Sequence, residues 1–299
     1  MASHNPTDKD IKKNTEKCKK LCELTDKDIE RLLEKRLSFT GKGNDRYSRY
    51  SAYDYCYNHF RDFHENFLKR EKREILTHEM NILCLQLGLF LGTWGMFRNS
   101  DLQKCSFRIY EPLIKKIFEE EDLWKIDVKD YCVKKDEINS ETWKAICCFK
   151  KEIQMSLGQH GVLVTDTLAT KIMMVVFGCV PAYDSYFSST LEPVPKLDQK
   201  SLKYIYKFYH KKKDCLDKKQ KELKTVKVDG GLTDCTYTIA KIIDIIGFRE
   251  KEETDIKNQK NTKGKDKSIW EEKKDRKKEK EKKLKQRLEK LEPELKKDC

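Results

Sequence analysis

Apolar side chains in the middle of this chain return every three or four residues and show no sustained alternation with polar ones. A chain patterned this way buries its apolar side as packed helices, so the fold expected is all-α. The clearest stripe is aromatic: Tyr53, Tyr57, Phe60, Phe63 or His64, and Phe67 fall on one side of a single helix. Similar periodicity predicts helices within 73–97, 109–121, 140–157, Leu202–His210 and Thr238–Phe248. A long apolar stretch, Val162–Val180, is stopped by Pro181, and Ser185–Leu191 begins another element. Asp229-Gly230-Gly231 marks a turn. Within 73–97, Gly88 and Gly92 stand four apart and leave room for another helix to approach closely.

Charge divides the chain into three. Of 299 residues, 38% are charged and 37% hydrophobic, with a net charge of +13. Residues 251–299 hold 19 Lys/Arg against 13 Asp/Glu, and residues 1–44 hold 11 against 8. Residues 45–250 are nearly balanced and carry almost all the apolar side chains. The expected organisation is a polar N-terminal segment (1–44), an all-α core domain (45–250) of about nine helices, and a Lys/Glu-rich tail (251–299). The first segment contains one short helical pattern, Asp26–Leu37, with Thr25 or Asp26 as its cap, and Ser38–Asn44 reads as the boundary loop. In the tail, Trp270, Leu284, Leu288, Leu291 and Leu295 are the apolar points of a helix held by Glu–Lys pairs. Basic ends favour phosphate-rich partners through salt-sensitive, non-specific contacts, so DNA is the partner expected.

Met1–Lys20 has no apolar run of the secretory type, and the longest apolar run, Ile82–Phe97, falls short of the roughly 20 residues of a spanning helix. These point to a cytoplasmic chain with no membrane partner. Twelve cysteines scattered along apolar stretches read as free thiols. Cys18 and Cys22 have ligand-like spacing but no matching second pair, so no metal is expected. No P-loop, nucleophile elbow or dinucleotide fingerprint is present in the sequence, and no cofactor is expected.

Candidate chemistry centres on Lys171, set inside Thr167-Leu-Ala-Thr-Lys-Ile-Met-Met-Val-Val-Phe177. A lysine so enclosed either reaches the surface along its stem or sits in a pocket, where desolvation frees the amine as a nucleophile. Thirteen residues on, after Pro181, Asp184 is placed either to cap the element from Ser185 or to face back toward the lysine.

Thr170-Lys171 followed by Pro181-x-x-Asp184-x-Tyr186 resembles the Lys…Pro…Asp arrangement of helix-hairpin-helix base-excision glycosylases. The likeness is to the compact branch that includes archaeal 8-oxoguanine glycosylases, and it covers about residues 157–187. It implies an all-α fold, Lys171 as the nucleophile on the sugar C1′, and Asp184 as the carboxylate assisting departure of a damaged or modified base. A role in DNA repair or anti-phage defence would follow. It further implies that Gly158-Gln-His-Gly161 is the turn that holds a DNA phosphate through backbone N–H groups. An extrahelical base needs stacking and edge-reading side chains, and Trp94, Arg98, Gln103 and Tyr183 are the candidates.

Two other readings stand beside this one. A helical nucleic-acid-binding or interaction protein with no enzymatic activity needs only the basic ends and the helices. Arg73-Glu-Ile-Leu-Thr-His78 resembles the R-x-x-x-x-H pattern of HEPN ribonucleases, in which Arg and His act on the RNA 2′-hydroxyl.

Overall fold

A computed structural model of the chain describes residues 17–40, 50–98, 100–134 and 137–263, without the side chains of 35–40 and 260–263. The chain divides into two units, Met1–Lys17 with Glu252–Cys299, and Cys18–Lys251. The second unit holds the core and the candidate site. The tail leucines and Trp270 lie outside the described residues.

The fold is all-α apart from two small antiparallel sheets. The helices are α1 (Asp26–Thr40), α2 (Ser51–Leu68), α3 (Thr77–Thr93), α4 (Glu111–Glu119), α5 (Ser140–Gly158), α6 (Asp166–Val176), α7 (Ser185–Thr190), α8 (Gln199–Lys211), α9 (Lys213–Glu222) and α10 (Ile239–Lys263). The sheets pair β1 (Cys132–Lys134) with β2 (Glu137–Ile138), and β3 (Lys224–Val226) with β4 (Leu232–Thr236). Among the described residues no helix is long and apolar enough to cross a membrane.

Helix α6 lies at the centre. Every residue from Leu168 to Val176 is buried, which fits a helix that is apolar on all sides. It packs on α2, α3 and α5. The α2 stripe supplies Tyr53, Tyr57, Phe60 and Phe67 to this core, the aromatic-core use of those rings. Both ends of α6 are closed by hydrogen bonds. Thr165 accepts from the Leu168 N–H at the start, and Gly178 (φ +71°) ends the helix by donating to the Met173 and Met174 carbonyls. Arg61 donates to the Phe177 carbonyl and, at 3.1 Å, to that of Trp124. Asp127 caps α10 from a distant loop, accepting from the N–H groups of Ile239 (2.8 Å) and Ala240 (2.9 Å).

Four expectations change. The compact unit begins at Cys18, well before residue 45: Leu21, Leu24, Ile29, Leu32 and Leu33 are buried, so the polar composition of 1–44 hid five core residues. Ser38–Thr40 continue α1 and are no loop. The Asp229–Gly231 turn joins β3 to β4, with the Lys227 N–H donating to the Gly231 carbonyl at 2.7 Å. Strands of three and five residues are too short to show alternation. Gly88 and Gly92 admit rings where a helix was expected: a Cβ on Gly88 would stand 3.3 Å from Tyr110, and one on Gly92 3.1 Å from Phe97.

Candidate active site

Lys171 lies midway along α6 and its side chain is 7% exposed. Its Nζ is 3.6 Å from Asp184 Oδ2, donates to the Trp94 carbonyl at 3.2 Å, and lies 5.8 Å from the Trp94 ring. The two sequence roles of Asp184 coexist, one on each oxygen. Oδ1 caps α7 by accepting from the N–H groups of Tyr186 and Phe187, both at 3.0 Å, and Oδ2 faces the lysine. The Pro181–Asp184 segment is tied to α6 by two threonines. Thr167 donates to the Tyr183 carbonyl and Thr170 accepts from the Tyr183 N–H, each at 2.8 Å. Spacing alone therefore located the pair, because a short loop after α6 returns directly across the helix.

A second pair adjoins the first and went unread in the sequence. Lys241 Nζ is 2.8 Å from Asp244 Oδ2 on α10 and 4.2 Å from the centre of the Tyr53 ring. Asp244 Oδ1 accepts from the Ala182 N–H at 3.0 Å, so both pairs meet on the segment after Pro181. The signal was present: Ile239-Ala-Lys-Ile-Ile-Asp-Ile-Ile encloses Lys241 and Asp244 in apolar residues just as Lys171 is enclosed.

Burial dominates the electrostatics. Desolvation lowers the Lys171 pKa below the usual lysine range, with Lys241 adding to the shift and Asp184 and Asp244 opposing it. Desolvation also raises that of Asp184; Asp244 adds to this, while Lys171 and the two N–H groups oppose it. Both shifts favour the neutral amine and the protonated acid, which are the forms of a nucleophile and a proton donor.

Aromatic rings close the cluster. Trp94 stands edge-on to Tyr50 (5.7 Å) and Phe248 (5.8 Å), Tyr186 stacks on Phe248 at 4.8 Å, and the Arg249 guanidinium lies 4.6 Å from the Tyr50 ring. Between Tyr50, Trp94, Lys241, Asp244, Phe248 and Arg249 lies a cavity of about 20 Å³, room for a group the size of one water. A base enters only if these rings part.

The other nominated residues divide. Trp94 is at the cluster. Arg98 and Gln103 are exposed, and among the described residues no hydrogen bond or ion pair joins their side chains to Lys171 or Asp184. Tyr183 is a core residue: its ring is buried and its hydroxyl is paired with Ser201 Oγ at 2.9 Å, which leaves no face for a base. The Gly158–Gly161 turn is no phosphate cradle. The N–H groups of Gln159, His160, Gly161 and Val162 all donate back to carbonyls of residues 155–158 and close the C-terminus of α5, the end whose dipole repels an anion. The N-terminus of α6 is already occupied by Asp166, ion-paired to Lys150. Arg73 lies before α3 and pairs with Glu121 at 3.6 Å, His78 is exposed in the first turn of α3, and no described contact joins the two.

No family model, no curated protein and no solved structure matches the chain.

Proposed function

We propose that the chain is a DNA-acting enzyme of the base-excision type, with Lys171 as its nucleophile and Asp184 as its acid. The observation that carries this reading is the buried pair, 3.6 Å apart, whose environment favours the free amine. The Lys171 Nζ lone pair attacks C1′ as the C1′–N bond breaks, and the departing base takes the electron pair and a proton that Asp184 supplies. The Asp184 carboxylate takes back one proton from the attached nitrogen; the C1′–O4′ bond then breaks, its electron pair and the second nitrogen proton pass to O4′, and C1′ and Nζ are left joined as an imine. For this to occur the amine must leave the Trp94 carbonyl, and Trp94, Tyr50 and Phe248 must separate to admit the base. Incubation with DNA carrying damaged or modified bases, then borohydride, should give a covalent adduct that Lys171→Gln abolishes. Equal behaviour of the two proteins across a broad substrate panel rejects the enzyme.

Two observations favour a second, non-enzymatic reading. The lysine amine is already bonded and the cavity beside it holds no more than about one water. The cluster would then be an internal brace joining the end of α3, α6 and α10 in a helical nucleic-acid-binding protein. Normal DNA binding with no adduct, and loss of stability in Lys171→Gln, is the outcome that selects it.

A further inference from the structure

The Lys171–Asp184 pair is one half of a buried group of four charges. Lys241 and Asp244 are both buried on α10 and stand three residues apart, which places them on one face of that helix. Lys241 Nζ reaches α6 itself, 3.7 Å from Met174 Sδ, and Met174 is nearly one turn beyond Lys171. The two ammonium groups lie at almost the same distance from the Trp94 ring, 5.8 Å for Lys171 and 5.9 Å for Lys241. Asp244 divides its oxygens as Asp184 does: Oδ2 pairs with Lys241 at 2.8 Å, and Oδ1 accepts from the Ala182 N–H at 3.0 Å.

The Ala182 contact completes the hold on the segment that carries Asp184. Thr167 and Thr170 of α6 engage the Tyr183 carbonyl and N–H, and Asp244 of α10 takes the N–H of the residue before. A buried N–H stripped of its acceptor is costly, so Asp244 fixes where the segment lies. Bracing alone does not account for the charges, because apolar side chains of the same volume would join α10 to α6 without desolvating two ions. What the second pair adds is a field at the first. The charged groups that act most strongly on the Lys171 amine are Asp184, from the segment after α6, and Asp244 and Lys241, from α10. Helix α3 meets this amine with the Trp94 carbonyl and ring, and α2 meets Lys241 with the Tyr53 ring. Arg249, the next charge along α10, lies 4.6 Å from the Tyr50 ring.

We infer that Lys241 and Asp244 are positioning residues of the candidate site: Asp244 holds the segment bearing Asp184 against α6, and the two charges together set the field in which Lys171 exchanges its proton. The inference rests on the proposed base-excision reaction for what the positioned groups do, and on the four side chains alone for how they titrate. The two charges act with opposite signs. Lys241 helps to lower the Lys171 pKa, and Asp244 opposes that lowering more strongly than Lys241 adds to it. Asp244 also helps to hold the Asp184 pKa up.

Variants of the full chain, each checked for its fold by circular dichroism, separate position from charge. Asp244→Asn keeps an oxygen for the Ala182 N–H and loses the charge, Asp244→Ala loses both, and Lys241→Met loses the opposite charge. One readout is the pH dependence of the borohydride-trapped adduct with DNA carrying damaged or modified bases. The other is the titration of the Lys171 amine by NMR of lysine labelled at Cε and Nζ, its signal assigned by its loss in Lys171→Gln. The amine should titrate at higher pH in Lys241→Met and at lower pH in Asp244→Asn, and the pH range of adduct formation should move with it. Asp244→Ala should form adduct at least about tenfold more slowly than Asp244→Asn, each at its best pH, since a misplacement of about 1 Å costs on the order of 100-fold in rate. An amine titration that is unmoved, or that moves the same way, in Lys241→Met and Asp244→Asn overturns the inference. Adduct formation as fast in Asp244→Ala as in Asp244→Asn also overturns it, and if Asp244→Ala does not fold, the titrations of the other two variants decide. No adduct in the wild type rejects the enzyme, while the amine titration, which needs no DNA, still decides the inference.

Discussion

Lys171 and Lys241 each bring an ammonium group into the apolar interior, and each is met there by one carboxylate, Asp184 or Asp244. Such a pair is weak evidence for stability, because desolvation of both ions offsets their attraction. Its consequence is better sought in titration. Burial holds the Lys171 pKa below the ordinary lysine value of about 10.4. In the interval between the two values the unfolded chain keeps a proton that the folded chain has released. Stability therefore rises with pH across that interval, and the penalty for the charged amine is fully present below it. Lys171→Met removes this pH dependence. Urea unfolding at pH 7 and at pH 9.5 should show the wild type gaining on Lys171→Met at the higher pH, and the opposite trend would mean that the amine is favoured in its charged form. The pair was legible because a charge inside an apolar helix stands out in any sequence. The turn at Gly158–Gly161 was misread for a related reason: a glycine that ends a helix and a glycine that opens a hairpin look alike until the N–H groups have partners.

At the scale of elements, the helices with an apolar stripe were readable, and the one without it was not. Helix α9, Lys-Asp-Cys-Leu-Asp-Lys-Lys-Gln-Lys-Glu, buries Leu216 alone and is held by Lys–Asp and Lys–Glu pairs on its surface. Periodicity has nothing to register there. The short α7 is defined by its contacts more than by its sequence: Phe187 and Thr190 are buried against Gly247 of α10. A Cβ on Gly247 would fall 2.6 Å from Phe187 Cδ2 and 2.9 Å from Thr190 Oγ1. Alanine in place of glycine ordinarily favours a helix by about 1 kcal/mol, but overpacking a filled interior costs about 1–3 kcal/mol. Gly247→Ala should therefore lower stability by up to about 2 kcal/mol and displace α7, whose first turn is capped by Asp184. Gly158→Ala is the matched control: nothing lies within 4 Å of its Cβ position, so it should leave the melting temperature unchanged or raise it. Thermal unfolding of the two variants compares them directly, and equal effects would show that α7 yields without cost.

For the molecule as a whole, average composition misplaced the N-terminal edge of the compact unit. Residues 1–44 are polar overall, yet the stretch from Cys18 lays Leu21, Leu24, Ile29, Leu32 and Leu33 into the same core as α6, each 2% exposed or less. The attachment is polar as well. The Lys19 N–H donates to Glu250 at 3.1 Å, the Cys22 N–H to the Tyr204 hydroxyl at 3.3 Å, and Lys212 pairs with Asp26 at 2.6 Å. Each fully buried Leu or Ile contributes roughly 1.5–3 kcal/mol of transfer free energy, so removing five puts about 7 kcal/mol or more at stake. That is comparable with the entire net stability of a domain, about 5–15 kcal/mol. It also uncovers the part of α8 against which the Leu21–Glu23 turn packs. A chain shortened to begin at residue 45 should consequently be unfolded or aggregated at 25 °C, whereas one shortened to begin at Cys18 should melt cooperatively. Circular dichroism melting of the two, alongside the intact chain, separates the boundaries. A cooperative transition in the shorter chain near that of the intact one would place 18–44 outside the folding unit, and the five leucine and isoleucine contacts would then be a surface attachment.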